Sequence, residues 1–237
     1  MHNTAIITYA STYVLFFAML CISKTKKSNR LVSAQDFTQS PRLLLLLHLA
    51  GIFLFGILPL LNQAPVEIVI SLNTSAAILA TLLTLIVICF ILVTVPQIVL
   101  KQINSHVYET NKHPPFRPSF LISYFIIRIL FITAYEIWFR SFLLNACIEV
   151  SGMLIALLFN ITLYAILHSV NGKKEMLACL PFGLLLCFLC IGQGSVWPAI
   201  AIHVALTLSY EVSWIRKITT QKLQHESFNY GRSWLYR

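Results

Sequence analysis

Seven apolar stretches, most of them close to the length a bilayer requires, succeed one another along the 237 residues of this chain. They cover residues 4–22, 43–62, 67–95, 119–148, 153–169, 177–192 and 196–214. A membrane-spanning helix needs roughly 20 predominantly apolar residues at ~1.5 Å of rise each. Backbone that crosses hydrocarbon must also satisfy its own hydrogen bonds. An all-α, polytopic membrane protein of about seven transmembrane helices is therefore expected. With 58% hydrophobic and 11% charged residues, a soluble globular protein is excluded.

The formal net charge of +9 would suggest nucleic acid in a soluble protein. Here the bases lie in short loops between apolar spans, as orientation signals do, so the expected surroundings are the lipid bilayer and no nucleic acid. Lys24, Lys26, Lys27, Arg30 and Arg42 share one loop, and Lys101, Lys112 and Arg117 another. Lys173 and Lys174 mark a third, and Arg216, Lys217, Lys222, Arg232 and Arg237 the tail. The turn Asn62-Gln63-Ala64-Pro65 carries no base. With the N-terminus outside and the C-terminus cytoplasmic, every Lys and Arg except Arg128 and Arg140 falls on the cytoplasmic side.

The chain divides into an N-terminal three-span segment (1–96) whose last span Pro96 ends, a basic cytoplasmic loop (97–118), a four-span core (119–214) and a basic cytoplasmic tail (215–237). The first stretch is read as a retained span, because nothing basic precedes it and no small-residue cleavage site follows. Residues 119–148 are too long for an ordinary span and must be tilted, bent or partly interfacial. Turns are expected at Ser151-Gly152 and across Gly192–Ser195. The six cysteines sit inside or at the ends of apolar segments and read as small buried hydrophobes rather than a disulfide framework.

Chemistry concentrates where polarity interrupts the apolar pattern. In Ala134-Tyr135-Glu136-Ile137-Trp138-Phe139-Arg140, an acid and a base stand at i and i+4, on one face of a helix, and can neutralise each other. A lone charge at a helix centre costs roughly 2.5–3.5 kcal/mol even on insertion scales, so such residues persist where function or packing needs them. His168, His203 and Thr207 interrupt the later spans. If the chain reverses at Gly152, Glu136 and His168 are equidistant from the turn and are expected to face each other, with Arg140 opposite Tyr164. His203 reaches the same depth only if the Gly192–Ser195 break is sunk in the membrane. A carboxylate and an imidazole sharing a water can activate it for attack on a carbonyl, while a second imidazole and a hydroxyl stabilise the oxyanion. No serine-histidine-acid set is evident. No cofactor is expected; zinc on His168 and His203 is the weaker alternative, a thin site of two imidazoles and a carboxylate already paired with arginine.

These residues resemble the CAAX protease and bacteriocin-processing (CPBP or Abi) family of intramembrane peptidases. The family motif Glu-Glu-x-x-x-Arg looks like Tyr135-Glu136-Ile137-Trp138-Phe139-Arg140, Phe-x-x-x-His like Tyr164–His168, and His-x-x-x-Asn like His203–Thr207. The resemblance covers residues 119–210 and implies catalytic roles for Glu136, His168, His203, Arg140, Thr207 and Tyr135. The first glutamate of the family pair, taken as the water-activating base with the second-motif histidine, is Tyr135 here. Either Glu136 serves as base after a small helix rotation, or Tyr135 orders the water for His168.

Two functions follow. One is an intramembrane endopeptidase acting on a lipidated, leader or membrane-anchored peptide, most naturally in a bacterial cell membrane. The other is a catalytically inactive relative that binds a membrane peptide or partner protein. A transporter should show repeated broken helices, and only one break is visible. The charge distribution makes the orientation testable: a cysteine introduced at Gln63 should react with an impermeant thiol reagent added outside, and one at Lys112 should be protected. The reverse pattern would invert the topology.

Overall fold

The computed structural model describes residues 2–25, 41–61, 74–102 and 118–234. Among these residues the chain is helical and contains no strand. Helix α1 spans His2–Thr25 and α2 spans Pro41–Gly51; a π-helical segment, Ile52–Ile57, then leads into α3, Leu58–Leu61. Next come α4 (Thr74–Gln102), α5 (Pro118–Ile137), a second π-helical segment (Trp138–Leu143) and α6 (Leu144–Ser151). Helix α7 (Met153–His168), a 3₁₀ turn (Ser169–Asn171), α8 (Lys173–Gln193) and α9 (Trp197–Trp234) complete the chain. Seven of the resulting helical runs are long and apolar enough to cross a membrane, as an all-α, multi-pass membrane protein requires.

Several boundaries differ from the sequence expectation. Pro96 does not end the third span: α4 runs through it to Gln102, because membrane helices tolerate an internal proline where the surroundings re-satisfy the freed backbone. The basic tail begins as a continuation of α9, which extends to Trp234. The turn at Asn62–Pro65, the start of the third span at 67–73 and most of the 97–118 loop lie outside the described residues. The overlong 119–148 stretch is one unbroken run from α5 to α6, carrying the π-helical segment at its centre. The three reversals between α6 and α9 are glycine-dependent: Gly152, Gly172 and Gly194 have φ of 78°, 115° and 69°. That region is costly for any residue with a Cβ.

Lipid tails are as apolar as leucine, so burying a leucine between helices gains little, and packing and polar contacts must hold the bundle. The core is accordingly aromatic. Phe16 on α1 meets Phe55 in the first π-helical segment, with ring centres 4.7 Å apart and planes at 65°. Phe55 in turn meets Trp138 at 4.9 Å. Trp138 also contacts Tyr9 and Tyr13 of α1, so the two π-helical segments and α1 share one cluster. Tyr13 donates its hydroxyl to the Leu163 carbonyl at 2.8 Å, fixing α1 to α7.

A buried ionic layer joins α2, α5 and α9. Arg128 approaches Glu211 at 3.1 Å, both nearly inaccessible, and its Nη1 donates to His48 Nε2 at 2.7 Å. Breaking a buried pair leaves an uncompensated charge and typically costs about 3–5 kcal/mol, whereas replacing both partners by apolar residues is often close to neutral. Glu211→Leu alone should therefore lower the thermal midpoint in detergent sharply, and Arg128→Leu combined with Glu211→Leu should recover most of the loss. A double variant as unstable as the single one would show that the pair is not what holds α5 to α9.

Candidate active site

The second π-helical segment, Trp138–Leu143, is buried along its whole length and opens two residues after Glu136. Such segments insert an extra residue per turn and often mark functional positions. Asn160 of α7 donates its Nδ2 to the carbonyl of Phe139 at 2.6 Å, so α7 contributes a partner to the backbone within the π-helical turn.

Glu136 and Arg140 form the expected i, i+4 pair, Arg140 Nε donating to Glu136 Oε2 at 3.0 Å, and both side chains are 0% exposed. Arg140 Nη1 donates to Asn160 Oδ1 at 2.8 Å and to Cys187 Sγ at 3.1 Å. Its guanidinium also lies 4.7 Å from the Tyr164 ring centre, the seam the sequence anticipated. Arg140 thus ties α5, α7 and α8 together around one fork of donors.

The remaining carboxylate oxygen, Glu136 Oε1, accepts from His203 Nδ1 at 2.6 Å across 67 residues of sequence. Glu136 therefore meets His203, not His168, through its hydrogen bonds. His203 reaches this depth because the α8–α9 corner is sunk. Gln193 bonds Thr81 at 2.7 Å, and a Cβ on Gly192 would lie 3.1 Å from the Ala80 side chain. The corner thus abuts α4 seven residues inside its Thr74 start, roughly 10 Å down at ~1.5 Å per residue. Thr207, one turn beyond His203, is buried.

His168 ends α7 and donates from Nδ1 to Glu175 Oε1 at 2.9 Å. The expected face-to-face meeting of Glu136 and His168 is not made as a hydrogen bond: each imidazole is bonded to a different carboxylate. Tyr164 lies 5.1 Å from the His168 ring and 5.7 Å from Tyr135, and Tyr135 lies 6.0 Å from His203. Tyr135 is itself buried against Phe55, Phe131 and Phe139. The Tyr135 hydroxyl and Arg140 Nη2 have no hydrogen-bond partner among the described residues.

The two histidines bind separate carboxylates through Nδ1, and among the described residues no three His, Cys, Asp or Glu side chains converge as a metal cage would require. Both keep a little exposure, 9% and 11% of the side chain, where Glu136 and Arg140 keep none.

Asn160, Cys187, Asn171 and Glu175 escaped the sequence reading. Asn160 carried a signal: an amide amid the leucines and isoleucines of a span is suspect by the criterion that singled out Glu136. Glu175 gave none, standing among lysines at a loop edge, and only the folded turn brings it to His168.

No curated protein and no solved structure matches this chain. A family model does match, that of Type II CAAX prenyl endopeptidase Rce1-like proteins, over residues 117–209. The match opens one residue before α5, closes within α9, and contains Glu136, Arg140, Tyr164, His168, His203 and Thr207. Over this stretch, which carries the whole candidate site, the chain is similar to the Rce1-like proteins of the CAAX protease and bacteriocin-processing group.

Proposed function

We propose that this protein is an intramembrane endopeptidase that hydrolyses a lipidated, leader or membrane-anchored peptide by means of a water activated within the bundle. The observation that carries the reading is the Glu136–His203 hydrogen bond of 2.6 Å. It joins two of the motif-like segments, far apart in sequence, within a stretch similar to a protease family.

The roles follow from which atoms are already committed. Both oxygens of Glu136 are engaged, Oε2 by Arg140 and Oε1 by His203, so Glu136 serves best as the fixed counter-charge of His203. His203, when protonated, offers Nε2–H to the carbonyl oxygen of the scissile bond, and Thr207 adds a hydroxyl donor one turn away. His168, with Nδ1–H donated to Glu175, has a free lone pair on Nε2. It takes a proton from water as the oxygen attacks the carbonyl carbon, then returns that proton to the departing amide nitrogen as the C–N bond breaks. Water in and two peptide fragments out balance the reaction. The unpartnered donors of Tyr135 and Arg140 favour a peptide guest, because a buried donor left unsatisfied costs about 1–3 kcal/mol and a backbone carbonyl would satisfy it. With the N-terminus outside, His168 and Glu175 lie toward the cytoplasmic side of a cell membrane, the side from which water and peptide would arrive.

The second reading, a binding-only relative, is favoured by one observation: Tyr135, where the family carries its first glutamate, is packed into the aromatic core. The decisive assay uses purified protein in lipid vesicles and a farnesylated, quenched fluorescent peptide. His168→Ala and His203→Ala should each lower turnover by roughly 10²- to 10⁴-fold while the proteins remain folded. If the wild type binds the peptide and never cleaves it, the binding-only reading stands.

Tyr135→Glu separates the sources of activity. It would place a second carboxylate beside His203 and Tyr164, at the loss of ring contacts to Phe55, Phe131 and Phe139. If the chain works through His168 as described, turnover should not rise, and the thermal midpoint should fall. A rise in turnover would show that the missing glutamate limits this enzyme.

A further inference from the structure

We propose that Glu175 is the carboxylate that positions His168 for catalysis, supplying from α8 the acid that position 135 does not provide. This inference rests on the peptidase reading above and names a residue outside the three motifs.

The geometry begins with the reversal between α7 and α8. His168 closes α7, the 3₁₀ turn Ser169–Asn171 follows, and Gly172 at φ 115° redirects the chain so that α8 starts at Lys173. Glu175 then falls in the first turn of α8, where the helix dipole favours a carboxylate. Its Oε1 receives His168 Nδ1 at 2.9 Å, and Asn171 Nδ2 donates to the same oxygen. Two side chains, both within seven positions of His168, thus fix one imidazole.

The consequence is chemical. An imidazole whose Nδ1–H is held by a carboxylate presents an unprotonated Nε2, and the carboxylate stabilises the cation formed when Nε2 takes a proton, without itself becoming protonated. Glu136–His203 has the same construction, also through Nδ1 and at 2.6 Å. The candidate site therefore contains two carboxylate–imidazole pairs. They differ in access: Glu136 is 0% exposed, whereas the Glu175 side chain is 33% exposed. The Glu175 pair is the one that bulk water can reach, which suits a group that must exchange its proton in every turnover. The Glu136 carboxylate is sealed, which suits a fixed electrostatic device.

The test compares Glu175→Ala and Glu175→Gln with the wild type in vesicles, using the farnesylated peptide, alongside ¹⁵N NMR of histidine-labelled protein in detergent. His168→Ala identifies the His168 signals. Glu175→Ala removes both charge and acceptor; its kcat should fall by about 10- to 100-fold, the usual cost of losing a group that orients a site residue, with KM nearly unchanged. In the same variant the Nδ1–H form of His168 should give way to the Nε2–H form. Glu175→Gln keeps an acceptor, so it should retain the Nδ1–H form and recover part of the lost kcat. A Glu175→Ala protein with wild-type kcat, or with an unchanged His168 spectrum, overturns the proposal. If the wild type cleaves nothing, the peptidase reading falls, and with it any catalytic task for Glu175. The NMR comparison needs no substrate and still decides whether Glu175 sets the His168 tautomer.

Discussion

A charge that cannot reach water has to be neutralised where it stands, and in this bundle the Glu136–Arg140 pair imposes that condition on everything around it. Neither side chain has any exposure. Arg140 spends its donors on Glu136, Asn160 and Cys187, which brings in α7 and α8. Glu136 spends its second oxygen on His203, which brings in α9. The Arg128–Glu211 layer repeats the logic, since it joins α5 to α9 as the Glu136–His203 contact does. From the Glu136–His203 contact to the Arg128–Glu211 pair the chain retreats eight residues along α5 and advances eight along α9, a step of roughly 12 Å at ~1.5 Å per residue. Two layers in that antiparallel register fix both the spacing and the sliding of the two helices, which aliphatic contacts in a lipid solvent specify poorly.

How much of this could be read in the sequence depends on how local the cause is. Helices, their approximate ends and the three glycine reversals were legible because hydropathy and positive-φ requirements act over a few residues. The Glu136–Arg140 pair was legible for the same reason, being one helical turn long. The Arg140–Tyr164 contact followed from counting residues back from Gly152. The partner of His168 did not, because the count assumed that two helices meet at equal depth and face squarely. Glu136 bonds to His203 on α9, and His168 finds an acid seven residues downstream. Pro96 misled because a proline stops a helix in water far more reliably than in a membrane.

Tyr135 illustrates a different limit. Its burial among Phe55, Phe131 and Phe139 makes it part of the aromatic core that joins both π-helical segments. A position that motif comparison treats as a catalytic slot is here also a packing position, and the two demands pull in opposite directions: a carboxylate wants donors, a ring wants neighbours. A site can tolerate such a substitution only if the lost acid is dispensable or supplied from elsewhere in the fold.

The sunken α8–α9 corner has a consequence for the membrane itself. Helix α6 continues to Ser151, fifteen residues past Glu136, whereas α9 begins at Trp197, only six residues before His203. At ~1.5 Å per residue, one wall of the site rises roughly 22 Å above the ion pair and the other roughly 9 Å. The protein thus presents a hydrophobic height that changes abruptly around its circumference. A bilayer of fixed thickness does not match both heights, and thinning beside the Gly194 corner would relieve the mismatch. The short wall would then bring aqueous solvent nearer to His203 than the number of apolar residues in the chain suggests.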